Sequence, residues 1–150
     1  MGSVSIDTPV GKLLVVELDN AIVSVRWSRS PGGAASPLLA EARRQLMAYF
    51  AGKLKKFDLP LAPAGTSFQH RVWGRMLDIP YGQTMSYGEM AKHLKSVARA
   101  VGGACGANPI PIIIPCHRVM AAHGRDGGYS GQGGVATKRQ LLQLEGAALL

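Results

Sequence analysis

A cysteine, a histidine and an arginine follow one another where an apolar segment ends. Residues 111–115, with three isoleucines between two prolines, lead directly into Cys116, His117 and Arg118. The β-branched run predicts a strand buried on both faces, which Pro115 should end because proline has no N–H for a sheet ladder. Cys116 would then lie on a rigid turn beside cationic side chains that favour a thiolate. Such placement is typical of a nucleophile, although a lone cysteine in an apolar segment is more often inert core packing.

Two short helices with a tight turn between them are predicted upstream of Cys116. Ser86 and Glu89 match a capping box, in which each side chain bonds the other residue's backbone N–H. The helix that they open should end near Leu94, and a second helix should run to about Gly106. Helices this close together indicate a helix-turn-helix.

The second of these helices has a glycine-rich face. Its outward residues are Arg99, Gly102, Gly103 and Gly106. Its inward residues are Val97, Val101, Ala104 and Cys105. A glycine inside a helix costs about 0.8–1 kcal/mol, so the cluster indicates either close helix packing or close approach of a nucleic acid. The outward face lacks the Asn, Gln and multiple Arg side chains that read bases in the major groove, which favours minor-groove binding without strong sequence preference.

Glu145 lies near the end of the last predicted helix. Thr137 and Gln140 match a capping box that should open this helix, and Gly146 should end it. A glutamate in the last turn opposes the helix macrodipole unless it has a partner. From the sequence alone, a solvated side chain is the more common outcome.

The N-terminal region predicts a small sheet and one helix. Short apolar, β-branched segments predict strands over residues 4–6, 13–18 and 21–27. Ser36 should cap a helix with Pro37 at its first position. No group of residues in this region has a recognisable chemical pattern, so a supporting role is expected.

These elements predict an α/β fold of two lobes. Residues 1–60 form a small N-terminal α/β lobe, a three-stranded antiparallel sheet plus a helix. Residues 61–150 form a mostly helical C-terminal lobe with a winged helix-turn-helix. The Pro- and Ala-rich residues 59–65 indicate a linker between the lobes.

Composition favours a polyanionic partner. The 150 residues carry a net charge of +8. Residues 61–150 hold 9 basic and 4 acidic side chains, against 8 and 5 in residues 1–60, so most of the excess lies in the C-terminal lobe. Ordinary solubility charge could give the same balance. No apolar run reaches membrane-spanning length, the start lacks a signal-peptide pattern, and two cysteines indicate reduced thiols. A cytoplasmic protein is expected, nucleoid-associated in a prokaryote or nuclear in a eukaryote.

Five segments form a recognisable set of motifs. They are residues 86–87, 99–104, 108–119 with the core Pro-Cys-His-Arg-Val, 128–131 and 141–146. In this order, the set resembles the O6-alkylguanine-DNA alkyltransferases. The resemblance is strong over residues 65–146 and extends to residues 1–60 only in pattern.

The resemblance implies direct DNA repair. Such a protein binds the minor groove of double-stranded DNA, flips the damaged base and moves an alkyl group from O6 of guanine, and also from O4 of thymine, to its own cysteine. The transfer happens once and is irreversible. No cofactor and no membrane partner are expected, and a monomer is expected, with cooperative binding along DNA left open. Some members bind a structural zinc in the N-terminal lobe, but no cysteine or histidine precedes His70 here, so none is expected.

The resemblance also assigns roles to single residues. The catalytic residues are the nucleophile Cys116, the base His117 acting through a water, Glu145 orienting His117, Tyr87 donating to guanine, and Asn108 as a hinge. The substrate pocket comprises Tyr87, Cys105, Pro111, Tyr129, Ser130 and Gly131. The DNA-binding residues are Ser86, Tyr87, Gly88, Ser96, Ala98, Arg99, Gly102, Gly103 and Arg118. Arg99 is expected to fill the gap left by the flipped base.

Three other interpretations use the same residues. An alkyltransferase-like lesion binder keeps the fold but lacks the cysteine, so Cys116 argues against it. A winged-helix transcription regulator would leave Cys116 incidental, but the glycine-rich face has few base-reading side chains. A zinc site could be built from Cys105, Cys116, His117 and His123, but their spacing matches no common pattern, and no metal is expected.

Overall fold

The computed structural model describes residues 1–121, 128–129 and 131–147. An antiparallel sheet forms the N-terminal region. Its strands are β1 (Gly2–Thr8), β2 (Gly11–Leu18), β3 (Ala21–Trp27) and β4 (Gly32–Gly33), in the order β3-β2-β1-β4. The three predicted strands are confirmed. The short β4 was not predicted, because two glycines after Pro31 indicated only a loop.

Helix α1 (Pro37–Phe50) covers one side of this sheet and packs against β1 and β2. Its predicted start is confirmed, since the Ser36 side chain accepts a hydrogen bond from the Leu39 N–H. The helix buries Leu39, Ala42, Gln45, Leu46 and Tyr49. Tyr49 is fully buried, which turns its hydroxyl group away from solvent and toward the C-terminal half of the chain.

The segment between the lobes, predicted as a linker, is hydrogen-bonded to the N-terminal sheet. The backbone N–H of Ile22 donates to Pro60 O at 2.8 Å, and the N–H of Ala62 donates to Ile22 O at 2.8 Å. Leu61 thereby forms a parallel bridge with Ile22 at the edge of β3. One continuous core of buried residues joins the sheet, α1 and the helices that follow.

The predicted helix-turn-helix is confirmed. After α2 (Ser67–Leu77), the chain forms α3 (Tyr87–Leu94) and α4 (Ala98–Gly106). Ser86 and Glu89 make the expected capping box, and Lys95 ends α3 in the left-handed region with φ of 53°. The side chain of Arg71 on α2 donates to Leu94 O at 2.9 Å, which fixes the end of α3.

The isoleucine run is buried, but the prediction of a strand there is wrong. Residues 111–114 form a tight turn in which Ile112 has φ of 74°. The Asn108 side chain holds this turn, because its Nδ2 donates to Ile114 O at 2.9 Å and its Oδ1 accepts from the Ile110 N–H at 3.0 Å. Pro109, Pro111 and Pro115, in and beside this turn, lack the N–H donors that a sheet would need, and the Asn108 hydrogen bonds take the place of a sheet ladder.

The rest of the C-terminal half continues directly from this turn. Cys116–Arg118 form a 3-10 turn, and β6 (Val119–Met120) then pairs in parallel with β5 (Met85–Ser86). Helix α5 (Val135–Leu144) begins earlier than predicted. Thr137 does not cap it but lies inside it and donates its hydroxyl to Gln132 O. Within the described ranges, no helix is long and apolar enough to cross a membrane.

Candidate active site

Cys116 lies at the start of the 3-10 turn and is buried. Its backbone N–H donates to Ile114 O at 2.8 Å, the same carbonyl that Asn108 holds. The Asn108 side chain also favours the ionised form of the Cys116 thiol and so acts to lower its pKa. One amide just after α4 therefore fixes the turn that leads into Cys116. This placement agrees with the hinge expected of Asn108.

A cavity of about 480 Å³ opens beside Cys116. It is lined by Tyr87, Gly102, Cys105, Gly106, Cys116, Gly128 and Tyr129. The thiol thus faces a space bounded by the start of α3 and by α4. Three of the predicted pocket residues, Tyr87, Cys105 and Tyr129, line this space together.

Two other predicted pocket residues lie elsewhere. Pro111 and Gly131 line a separate depression of about 230 Å³ beside Trp27. Gly131 still shapes the pocket indirectly, since a Cβ there would come within 2.4 Å of the Tyr129 ring and 2.6 Å of Trp27. The glycine therefore lets Tyr129 and Trp27 meet edge to face, with ring centroids 6.3 Å apart. Ser130 lies outside the described residues.

His117 and Glu145 form a buried pair. His117 Nε2 lies 2.7 Å from Glu145 Oε2, and neither side chain is exposed. The expected contact between them is confirmed. Glu145 caps α5 rather than projecting into solvent, so the unfavourable position at the helix end is offset by specific partners.

The charge state of this pair follows from its surroundings. Burial opposes ionisation of Glu145, but hydrogen bonds from His117, Arg118 and Tyr49 outweigh it and lower the carboxyl pKa to about 2. Burial lowers the pKa of His117, against the opposing effect of Glu145. The carboxylate can only accept, so a neutral His117 donates from Nε2 and keeps a lone pair on Nδ1. Within the described part of the chain, Nδ1 has no hydrogen-bond partner.

Cys116 differs from the sequence-based expectation of a ready thiolate. Burial raises the pKa of its thiol, although the Asn108 hydrogen bond and the charge of Lys138 act in the opposite direction. The neighbouring His117 and Arg118 do not lower the thiol pKa, because both side chains are directed at Glu145. The resting site therefore holds a neutral thiol beside a neutral imidazole.

Arg118 also departs from its expected position on a DNA surface. Its side chain is buried, and its Nε donates to Glu145 Oε1 at 2.8 Å while Nη1 donates to Ile79 O at 2.7 Å. The guanidinium thus neutralises the buried carboxylate. Its sequence position next to the nucleophile suggested a surface contact, but the 3-10 turn directs it inward.

Sequence analysis missed two residues of this region. Tyr49 of α1 donates its hydroxyl to Glu145 Oε2 at 2.6 Å. Lys138 of α5 is fully buried, with Nζ donating to Val119 O at 2.6 Å and lying 5.8 Å from the centre of the Tyr87 ring. In the sequence, Lys138 lies between Thr137 and Gln140, the two residues of the predicted capping box, and no role in the site is predicted for it. Its position on the same helix face as Leu141 and Leu142 was the only feature of the sequence that could have indicated a buried lysine.

The outward face of α4 is open. Arg99, Gly103 and Gly106 are exposed, and a Cβ added at Gly102, Gly103 or Gly106 would meet no described atom within 4 Å. Close packing inside the chain therefore does not explain these glycines. The other predicted surface positions, Ser86, Gly88, Ser96 and Ala98, are partly or fully exposed. Val97 is not inward as predicted but is 64% exposed at the start of α4.

Two family models match the chain in succession. The first is described as the ribonuclease-like domain of 6-O-methylguanine DNA methyltransferase and covers residues 4–63. The second is the DNA binding domain of 6-O-methylguanine DNA methyltransferase and covers residues 67–147. The chain belongs to the 6-O-methylguanine DNA methyltransferase family.

Similar proteins carry the same family name. The chain is 42% identical to a methylated-DNA--protein-cysteine methyltransferase of Methanosarcina acetivorans over 151 residues, covering 94% of this chain and 96% of that one. It is 44% identical to the protein of that name from Mycobacterium bovis, covering 94% and 90%. The structure is similar to Mycobacterium tuberculosis OGT in complex with DNA, with a TM-score of 0.85, 43% identity, and coverage of 96% and 92%.

The zinc site considered from the sequence would use Cys105, Cys116, His117 and His123. Among the residues that the structure describes, no three His, Cys, Asp or Glu side chains lie close enough to hold a metal ion. Cys105 and Cys116 are both free thiols and line the cavity, and His117 is committed to Glu145. His123 lies outside the described residues.

Proposed function

We propose that this chain repairs DNA by taking an alkyl group from O6 of guanine, and also from O4 of thymine, onto the sulfur of Cys116. One observation carries the proposal. Cys116 faces a cavity bounded by α3 and α4, while His117 and Glu145 form a buried acid–base pair directly behind it. A cysteine at the junction of a pocket and an open helix face is placed to meet a base extruded from DNA.

The thiol needs a base, and His117 is suited to be one. Its pKa is lowered by burial, so it is neutral at physiological pH, and Nδ1 carries the lone pair. In the proposed reaction His117 takes the proton of Cys116, through one water, as the substrate arrives. Glu145 then stabilises the imidazolium that forms, in the manner of a triad carboxylate.

The transfer itself is a displacement at saturated carbon. The sulfur forms a bond to the alkyl carbon while the bond from that carbon to guanine O6 breaks, and the electron pair stays on the guanine. Tyr87 gives the leaving base a hydrogen bond or proton. Burial raises the pKa of Tyr87 to about 12, so its hydroxyl is protonated and available as a donor. No cofactor takes part in these steps.

The open face of α4 is proposed to meet the DNA. Side-chain-free positions at Gly102 and Gly103 allow the sugar–phosphate backbone to come close, and Arg99 projects into the gap left by the extruded base. Extrusion costs a few kcal/mol, which stacking of Arg99 and contacts to phosphates would offset. We propose binding as a monomer to double-stranded DNA carrying O6-alkylguanine.

The decisive experiment is incubation with a duplex that contains one O6-methylguanine, followed by intact-protein mass spectrometry. One methyl group should be gained per molecule. Trypsin leaves Cys105 and Cys116 together in the peptide of residues 100–118, so fragment-ion spectra must locate the methyl group. Cys116→Ala should gain nothing yet still bind the duplex.

The same experiment separates the alternatives. A protein that binds the methylated duplex tightly but never gains mass would be a lesion binder. Sequence-selective binding to undamaged DNA, without mass gain, would indicate a transcription regulator. A methyl group found on Cys105 would leave the reaction class intact but would contradict the assignment of the nucleophile.

A further inference from the structure

The N-terminal lobe contributes a side chain to the buried pair behind the nucleophile. Tyr49 lies near the end of α1 and is fully buried. Its hydroxyl donates to Glu145 Oε2 at 2.6 Å, and this is the oxygen that His117 Nε2 contacts at 2.7 Å. The residues in this contact are 96 positions apart in the chain. Arg118 Nη2 also donates to this oxygen at 3.0 Å, so three donors, one of them from the N-terminal lobe, share one carboxylate oxygen.

We propose that Tyr49 is a positioning residue for alkyl transfer, which fixes the Glu145 oxygen used by His117 and limits how strongly that carboxylate holds the protonated imidazole. The inference rests on the function proposed above. It gives the N-terminal lobe a part in the chemistry beyond support. Tyr49 touches neither the cavity nor Cys116, so it acts only through Glu145 and His117.

The surroundings make this hydroxyl a lasting donor. Burial is the main cause that raises the pKa of Tyr49, and the nearby Glu145 raises it further, so the hydroxyl keeps its proton at any working pH. A donated hydrogen bond draws charge from Oε2 and weakens its attraction for a proton on His117. Without it, the imidazolium would be more stable, so His117 would already be protonated, and unable to accept the thiol proton, over a wider acidic range of pH.

Other charged and titratable groups face the same pair. They are Arg118 of the 3-10 turn, Lys138 of α5 and Tyr81 of the loop after α2. Arg118 already binds both oxygens of Glu145, at 2.8 and 3.0 Å. The contribution of Tyr49 is therefore added to that of a permanent cation.

Tyr81 provides a matched control for Tyr49. Its ring meets the Tyr49 ring edge to face, with centroids 6.3 Å apart, but its hydroxyl donates to the backbone oxygen of Leu144 at 3.2 Å. Tyr81→Phe and Tyr49→Phe thus each remove one hydroxyl from the same aromatic cluster. Only Tyr49→Phe removes a bond to Glu145.

The test compares single-turnover transfer from methylated DNA across pH. On the acid limb of its rate–pH profile, Tyr49→Phe should lower the rate about tenfold, a part of the roughly 10²–10⁴-fold that a positioned base supplies. The acid limb of its rate–pH profile should move to higher pH, because His117 is more readily protonated. Tyr81→Phe should keep the profile of the parent protein. A purely structural role for Tyr49 would lower the melting temperature without moving the limb.

A second measurement does not depend on transfer. The ring signals of His117, assigned by their loss in His117→Gln, can be titrated by NMR in the absence of DNA. Tyr49→Phe should raise the pH at which His117 takes a proton, and Tyr81→Phe should not. If the parent protein never gains a methyl group, the proposed function fails, but this titration still decides whether Tyr49 controls His117.

A variant that keeps the packing guards against loss of fold. A fluorinated tyrosine at position 49 is a stronger donor of the same shape, and it should move the acid limb and the His117 titration to lower pH. Opposite shifts from Tyr49→Phe and the fluorinated residue would establish the proposal. Rates and titrations that stay at parent values in both proteins would overturn it.

Discussion

Glu145 is the residue on which the buried charges converge. It accepts hydrogen bonds from His117, Arg118 and Tyr49, and it is one of two acidic residues in the last 25 positions of the chain. A buried carboxylate with these donors stays ionised, and the ionised form is what orients a neutral imidazole. In the proposed reaction, one negative charge is thus held fixed on Glu145 while the thiol proton moves.

The stability of the protein should depend on pH through this residue. The pKa of Glu145 is depressed in the folded state from 4.5 to about 2, so its contribution is present above about pH 4.5 and is lost as pH falls toward 2. A difference of this size corresponds to about 3 kcal/mol. His117, whose folded pKa is lowered, adds a loss that begins below its ordinary value of 6.5. Urea unfolding between pH 7 and 3 should show the free energy of unfolding falling throughout.

Glu145→Gln tests the assignment. Removing the charge leaves Arg118 buried without its counter-ion, which should cost about 3–5 kcal/mol near neutral pH. The variant should also lose less stability between pH 4.5 and 3 than the parent protein. Glu89→Gln is the control, because Glu89 is an exposed capping residue of α3. If both variants kept the parent pH dependence, Glu145 would not be the group that titrates.

At the scale of elements, α4 combines an apolar inner face with an outer face that has almost no side chains. Val101, Ala104 and Cys105 are buried, while Arg99 and Gly103 are exposed. The inner face ties the helix to the core and to the cavity beside Cys116. The outer face packs against no described atom, although Gly102 and Gly106 also border the cavity, so its glycines are best explained by a partner that comes close.

Gly103→Ala separates folding from binding. An added Cβ meets no described atom, so the higher helix propensity of alanine should raise stability by about 0.8–1 kcal/mol. Affinity for duplex DNA should nevertheless fall, because the methyl group holds the backbone of the DNA away. Gly74→Ala on α2 also meets no described atom and should raise stability with unchanged affinity. Equal DNA affinity of Gly103→Ala and the parent protein, measured by fluorescence anisotropy, would contradict this use of α4.

Arg99→Ala tests the other feature of this face. Arg99 is exposed and forms no ion pair among the described residues, so its loss should not affect the fold. Repair of a methylated duplex should slow about tenfold or more, since extrusion of the base costs a few kcal/mol. Reaction with free O6-benzylguanine needs no extrusion and should change little. Lys92→Ala on α3 controls for the lost charge. Equal losses of rate on both substrates would show that Arg99 maintains the shape of the pocket and does not act in base extrusion.

At the scale of the whole molecule, the sequence predicts the structural features that depend on neighbouring residues. It does not predict the contacts between residues far apart in the chain. The caps at Ser36 and Ser86 and the turn between α3 and α4 follow local rules, and all three are confirmed. The isoleucine run was assigned to a strand because its burial was evident but the Asn108 hydrogen bonds that fold it into a turn were not. Tyr49 and Lys138 reach the site only through tertiary packing, which no local pattern encodes.

The chemistry of Cys116 and its surroundings also predicts that each protein molecule accepts only one alkyl group. A thioether on Cys116 has no good leaving group, so regeneration would need a second nucleophile. The only other thiol is Cys105, which lines the same cavity, but burial raises its pKa to about 12 and leaves it neutral. Excess methylated duplex should therefore convert one equivalent of protein and then stop, as followed by intact mass against remaining O6-methylguanine. Turnover beyond one equivalent would show that another group removes the methyl, and its loss in Cys105→Ala would identify that group.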